Sequence, residues 1–157
     1  GLSQDLDISR KEADEYIKEY FRKHEKVKIY MDSRIADCKA SGYSETILGR
    51  KRMIPEIGAS NFMVRQLGER LAMNTPIQGS AADIIKIAMI RVHDRLIKEG
   101  FASRLILQVH DELIVECPKD IADAVSNLVS EQMQQVATLL VPLLAEAKWG
   151  NSWYEAK

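Results

Sequence analysis

The sequence predicts an α+β fold, with helices packed on a small antiparallel sheet and a mostly helical N-terminal portion. Three observations point there. Apolar residues recur at helical spacing through the first forty or so positions. A longer helical stripe of Ile84, Ile85, Ala88, Met89, Val92 and Leu96 follows. After it, the stretch LILQVHDELIVE at 105–116 sets two strand-like apolar runs on either side of a short polar centre.

Ser9-Arg10-Lys11-Glu12 has the spacing of a capping box, and Ala13, Tyr16, Ile17, Tyr20 and Phe21 continue it as an amphipathic helix over 10–22. A second helix is predicted over about 24–40, with Val27, Tyr30, Met31 and Ile35 on its apolar side and Gly42 as its terminator. Residues 43–57, YSETILGRKRMIPEI, read as a hairpin that turns at Gly49 and is stopped by Pro55. A helix from Asn61 to about Met73 comes next, with Met63, Leu67 and Leu71 on one side. Pro76 and Gly79 are expected to break the chain before a new helix, capped by Ser80 with Asp83 at its third position and running to Gly100. Strands are predicted at about 103–109 and 112–117, a last helix at about 120–140 closed by Pro142, and a terminal strand at 143–148. The change from helix alone to helix with strand, near residue 54, is the expected domain boundary. No repeat or low-complexity linker interrupts the pattern.

At 157 residues the chain has room for one domain, or one domain with a smaller attachment. It is 46% hydrophobic and 29% charged, and its formal net charge of −1 excludes a uniformly basic nucleic-acid binder. Locally the balance differs: residues 50–70 hold five Lys or Arg (50, 51, 52, 65, 70) against two acids, Glu56 and Glu69. The two cysteines, Cys38 and Cys117, form no CxxC pair and read as ordinary reduced thiols. No signal peptide or bilayer-length apolar run is present, so no membrane partner is expected. The chain begins at Gly1 rather than Met, which suggests processing or a longer parent.

Two constellations carry chemistry. His110-Asp111-Glu112 lies where a tight strand-to-strand connection presents its side chains at a rigid sheet end. A carboxylate held there can bind Mg²⁺, which favours oxygen ligands and one or two protein carboxylates. Paired ions of this kind stabilise both oxygens of a phosphoryl displacement. The plainer alternative is an ordinary turn, where Asp and Glu are common. The second constellation is Arg65, Arg70 and Asn74 on the polar side of one helix, with Gln78 after Pro76. Planar donors of this type can follow minor-groove acceptors without reading sequence. Arg50, Lys51 and Arg52 could meet phosphates. The alternative is a solvated helix face with an Arg65–Glu69 pair. A third option, an HD phosphohydrolase built on His93-Asp94 and His110-Asp111, lacks further ligands, since the only other histidine is His24.

Together the motifs resemble the family A DNA polymerases of the bacterial DNA polymerase I group. QVHDELIVE at 108–116 is similar to the family's motif C, and ERLAMNTPIQGSAADIIKIAMI at 69–90 to the segment before it. ETILGRKRMIPEI at 45–57 fits the pattern T-x-x-GR-R-x-x-P-x-I, GLSQDLDISRKEA resembles the fingers just after motif B, and GNSWYEAK the family's C-terminus. The resemblance covers the whole chain in order. It implies a distal fingers portion at 1–54 and the C-terminal part of the palm at 55–157. It further implies that Asp111 is the second metal-binding catalytic aspartate, Glu112 its acidic neighbour, and His110 a residue placing the primer terminus. By the same likeness Arg70, Asn74 and Gln78 contact the primer–template minor groove, and Arg65 contacts the template strand. Arg50 and Arg52 join them as DNA-binding candidates.

The implied activity is template-directed transfer of a deoxynucleotide to a primer 3′-hydroxyl with two Mg²⁺ ions, for which Mn²⁺ can substitute. The implied partners are primer–template DNA, deoxynucleoside triphosphates and the N-terminal remainder of the polymerase, and the implied setting is the bacterial cytoplasm at the nucleoid. Motifs A and B, the first catalytic aspartate and the nucleotide-gripping residues are expected upstream of Gly1. A rival reading is a non-catalytic fragment that grips primer–template, and another is a lone fragment that is not stably folded.

Overall fold

The structure, a computed structural model, describes residues 2–156. The chain divides into two compact units, one up to Ile77 and one from Gln78.

The first unit opens with a short helix α1 (Leu2–Asp5), which helical periodicity is too brief to announce. Helix α2 (Arg10–Lys23) begins at the expected capping box: Glu12 N donates to Ser9 Oγ at 3.2 Å and Ser9 N to Glu12 Oε2 at 2.9 Å. Side-chain and backbone hydrogen bonds from Ser9 hold the Glu12 carboxyl below its ordinary pKa. The apolar stripe of α2 forms as predicted, yet only Ala13 is buried and Tyr16, Ile17 and Tyr20 stay exposed. Helix α3 (Glu25–Ser41) ends where Gly42 takes a left-handed φ of 79°.

Strands β1 (Tyr43–Glu45) and β2 (Lys51–Met53) then pair antiparallel, with Ser44 opposite Arg52. Gly49 turns the loop at φ 82°, and the Thr46 hydroxyl accepts from Arg50 N at 3.1 Å. Pro55 starts a 3-10 turn over Pro55–Gly58. Helix α4 (Phe62–Lys98) follows, its first amides capped by the Asn61 side chain, which accepts from Met63 N and Val64 N.

Here the expected break at Pro76 and Gly79 does not occur: α4 is one helix of 37 residues with Pro76 inside it. Ser80 and Asp83 are consequently buried helix-interior residues, not a cap. Proline has no N–H for the carbonyl four residues back and crowds that carbonyl with its ring. The carbonyl concerned is Ala72's, and the buried Ser44 hydroxyl donates to it at 3.1 Å. A side chain from β1 thus replaces the missing intrahelical partner.

The same half of α4 is held by close packing. A Cβ at Gly68 would lie 2.6 Å from the Ile57 nitrogen, so only glycine admits the 3-10 turn to that distance. Cys38, Ile54, Ile57 and Ala72 form the buried core beside it, and Lys39 Nζ pairs with Glu69 Oε1 at 2.7 Å.

In the second unit, β3 (Arg104–Val109) and β4 (Glu112–Glu116) form an antiparallel hairpin whose register shifts between Leu105 and Leu107. Helix α5 (Ala122–Gln134) follows a 3-10 turn at Lys119–Ile121. Val92 and Leu96 of α4 pack with Val125, Leu128 and Val129 of α5, and Leu113 and Val115 of β4 close on this core.

Two expectations fail here. The last helix stops well short of residue 140, where the Arg91 guanidinium takes the Gln135 carbonyl at 2.7 Å. Residues 143–148 form no strand. The Ala145 carbonyl is bonded instead by the Ser130 hydroxyl at 2.6 Å and the Gln134 amide at 3.1 Å, which fasten this segment to α5. Trp149 Nε1 donates to Asp123 Oδ1 at 2.7 Å and continues the attachment.

Gly68→Ala is expected to destabilise the protein by about 1–3 kcal/mol in denaturant unfolding, because the colliding atoms are backbone and cannot swing aside. Ser9→Ala should lower stability by about 1 kcal/mol in the same assay. The depressed Glu12 pKa sets the sign of a pH effect. Its contribution is present above the unfolded-state pKa and is lost as pH falls through the folded-state value. Ser9→Ala should therefore flatten the acid limb of the stability profile.

Candidate nucleic-acid and metal site

The hairpin β3–β4 is joined by two residues, His110 and Asp111, between the partners Val109 and Glu112. Tight hairpins of this length need positive φ where the chain reverses. His110 supplies it at φ 52°, a region that asparagine, aspartate and histidine enter more readily than other non-glycine residues. Gln108 Nε2 donates to the His110 carbonyl at 2.5 Å and braces the turn. His110, Asp111 and Glu112 are all exposed at this end of the ribbon.

Both carboxylates also open onto a groove of about 950 Å³ within the second unit. Ile84, Ile85 and Ala88 form part of its apolar wall, with Leu113 and Val115. Apolar walls lower the local dielectric and strengthen any charge interaction made beside them. Oxygen donors of this kind fit Mg²⁺, which keeps several waters and takes one or two protein carboxylates. Among the described residues no group of three or more His, Cys, Asp or Glu converges as a metal site. Two adjacent carboxylates are therefore what this chain offers, and further oxygens would have to come from water, substrate or another segment.

The basic candidates sit on other elements. Arg70 and Asn74 lie four residues apart on α4, which puts them on one helix face about 6 Å apart along the axis, and both are exposed. Gln78, also exposed, follows one turn later and opens the second unit. Arg65 is more committed: its Nη1 donates to the carbonyls of Ala59 at 3.0 Å and Ser60 at 3.3 Å, and its guanidinium lies over the Phe62 ring. The partner of Glu69 is Lys39, so the expected Arg65–Glu69 pairing does not organise this face. Arg50 and Arg52 are exposed on the first hairpin, while Lys51 Nζ stacks over the Tyr43 ring at 4.3 Å.

Three residues at these sites were not singled out by sequence. Gln108 holds the turn, Ser44 holds the helix carbonyl, and Gly68 admits a close backbone approach. Only Gly68 leaves a sequence signal, a glycine inside a helical pattern. Cys38 and Cys117 are free thiols, and burial raises the pKa of both, which leaves them poor nucleophiles.

This combination of folded elements is that of a polymerase: the chain belongs to DNA polymerase family A, whose family model matches residues 1–155. It is similar to DNA polymerase I of Bacillus caldotenax and of Geobacillus stearothermophilus, at 52% identity to each over the whole chain. The chain spans 18% of the length of these relatives. It is also similar to a solved POL domain of Pol1 from M. smegmatis, in complex with DNA primer-template and dNTP. That likeness has a TM-score of 0.95 at 43% identity and covers 99% of this chain and 28% of the other. The mixture of helices with small antiparallel sheets is a polymerase fragment fold.

The turn makes a testable demand. His110→Asn should leave stability unchanged, because asparagine tolerates positive φ. His110→Val should lower it by about 1–2 kcal/mol, because a β-branched residue does not. Denaturant unfolding of the two variants distinguishes them.

Proposed function

We propose that this chain is the C-terminal part of a DNA-directed DNA polymerase, with distal fingers at 1–54 and palm at 55–157. In this reading it helps transfer a deoxynucleoside monophosphate to a primer 3′-hydroxyl. The observation that supports the reading is that nearly all of this chain matches part of a polymerase domain solved with primer-template and dNTP.

In this reading Asp111 holds a divalent cation, with Glu112 beside it, and His110 places the primer terminus. A Mg²⁺ or Mn²⁺ ion held by Asp111, with Glu112 beside it, would supply Lewis-acid charge stabilisation to the phosphoryl transfer. Arg70, Asn74 and Gln78 donate to minor-groove acceptors, which every base pair presents, so the grip is firm without sequence preference. Arg65 meets the template strand, and Arg50 and Arg52 meet phosphates.

Phosphoryl transfer depends on positioning and charge stabilisation, so one pair of carboxylates without its counterpart is inert. The remainder of the polymerase, including motifs A and B, is therefore a required partner. Exposed apolar residues on α2 (Tyr16, Ile17, Tyr20) and near the end of the chain (Leu140, Val141, Leu144) are surfaces such a partner would cover. Its DNA substrate places the assembled enzyme in the bacterial cytoplasm, at the nucleoid. A second reading, a fragment that binds primer–template without catalysis, draws on the exposed donors Arg70, Asn74 and Gln78. It applies to the chain on its own.

Primer extension with Mg²⁺ and all four nucleotides tests both. The chain alone should give no product. Joined to the upstream portion of the Geobacillus stearothermophilus relative it should extend primers, and Asp111→Ala should abolish that activity. Extension by the chain alone would overturn the claim that half a site is inert. Full activity of the Asp111→Ala assembly would overturn the role of that carboxylate.

A further inference from the structure

The β3–β4 hairpin reverses at His110 and Asp111 in a conformation that L-residues do not favour. His110 has a φ of 52°, while φ at Asp111 is not positive. Positive φ at the first central residue alone is the pattern of a type II′ turn, whose first central position ordinarily takes glycine. The other two-residue hairpin turn, type I′, needs positive φ at both central residues. The two turns differ by rotation of one peptide unit, the one between the central residues. Here that unit joins the His110 carbonyl to the Asp111 amide.

The ladder does not choose between the two orientations. It closes on Val109 and Glu112 and leaves the central peptide outside it. Gln108 does choose. Its side-chain amide donates to the His110 carbonyl at 2.5 Å, and a carbonyl turned the other way would lose that donor. Gln108 is half-buried on β3 and pairs across the ladder with Leu113, so its reach is set by the sheet. It is not among the residues lining the groove onto which Asp111 and Glu112 open. Its effect on those carboxylates is therefore exerted through the turn.

Turning the central peptide over changes φ at Asp111 and tilts its Cα–Cβ bond, which moves the carboxylate. A cation at Asp111 would then meet its ligand only in the fraction of molecules whose turn is correctly set, and its apparent affinity would fall by that fraction. Histidine in a glycine position is strained and persists only where its surroundings hold it. We infer that Gln108 is a positioning residue, holding the His110–Asp111 peptide in one orientation and so fixing where the Asp111 carboxylate stands. The inference rests on the metal-binding reading of Asp111 given above.

The experiment uses the chain joined to the upstream portion of the Geobacillus stearothermophilus relative. Gln108→Met keeps the length of the side chain and removes its donor. His110→Gly puts at the first central position the residue that a type II′ turn favours, so the turn should keep its form without a brace. Wild type, the two single variants, the double variant Gln108→Met/His110→Gly and Asp111→Ala are compared. Crystal structures without metal, thermal unfolding and primer extension across a Mg²⁺ titration are obtained for each.

In Gln108→Met the central peptide should be turned over or divided between two orientations. Half-saturating Mg²⁺ should rise about fivefold, the order that one hydrogen bond carries. The rate at saturating Mg²⁺ should stay near that of wild type, because bound metal selects the correctly set turn. In the His110→Gly background, the same change at Gln108 should leave both the peptide and the Mg²⁺ requirement as they were. An unmoved peptide in Gln108→Met would overturn the inference. So would an equal rise in half-saturating Mg²⁺ in the His110→Gly background, by showing that Gln108 acts without the turn. A lower melting temperature with no change in Mg²⁺ requirement would reduce Gln108 to a structural contact and also overturn it. Should His110→Gly extend primers too slowly to titrate, the crystal structures of that pair still decide. Undiminished extension by Asp111→Ala would instead overturn the metal-binding reading itself.

Discussion

The fold depends on a backbone requirement met in an unusual way. Helix α4 runs for 37 residues, about 55 Å at the helical rise, and carries candidate DNA contacts in its first half and core residues in its second. Proline at position 76 should end such a helix, since it leaves a carbonyl without a donor and crowds it as well. A buried carbonyl without a partner is expensive, on the order of 1–3 kcal/mol. Ser44 removes that penalty from outside the helix. Helix continuity through residue 76 is thus partly a tertiary property, supplied by a strand that precedes it by about thirty residues.

That explains where sequence reading succeeds and where it stops. The capping box at Ser9 and Glu12, the terminator Gly42 and both hairpins were legible because each is decided by residues within a few positions of one another. The break expected at Pro76 was a sound local inference, overruled by a contact 28 positions away in sequence. The strand expected at 143–148 failed for a related reason. Its apolar residues suit a strand, but a strand exists only through a ladder partner, and the Ala145 carbonyl is already held by two side chains of α5. Local preference proposes an element; long-range hydrogen bonding decides it.

The candidate site was legible to a different degree. Asp111 and Glu112 stand out as adjacent acids between apolar runs, and the two-residue turn that exposes them is what the pattern implies. The donors on α4 were legible as residue types, while their individual commitments were not. Arg65 is turned onto the carbonyls of Ala59 and Ser60, whereas Arg70 and Asn74 remain exposed. Nothing in the spelling of the helix separates these cases, because the difference comes from the loop before α4. The supports, Ser44 and Gln108, were invisible for the same reason: a small polar residue in a strand signals nothing until its partner is known.

Charge and apolar surface lead to a common conclusion about how such a chain would work. With a formal net charge of −1, the chain as a whole has no strong long-range attraction for DNA. Attraction to DNA would then be local, and residues 50–70, with five Lys or Arg against two acids, are one place where the balance is basic. Rigidity in that region comes from buried packing: Gly68 against the 3-10 turn, Ile54 and Ile57 against Ala72, and Ser44 on the freed carbonyl. The carboxylates at the other hairpin need the opposite arrangement, exposure at a rigid tip, and a two-residue turn braced by Gln108 provides it. On the proposed reading, both sets of groups await the same absent material. The upstream polymerase would bring the remaining oxygen ligands to Asp111 and cover the apolar faces of α2 and the chain's final segment. Holding groups in place and completing a ligand set are separate physical tasks, and on that reading they fall to different parts of the polymerase.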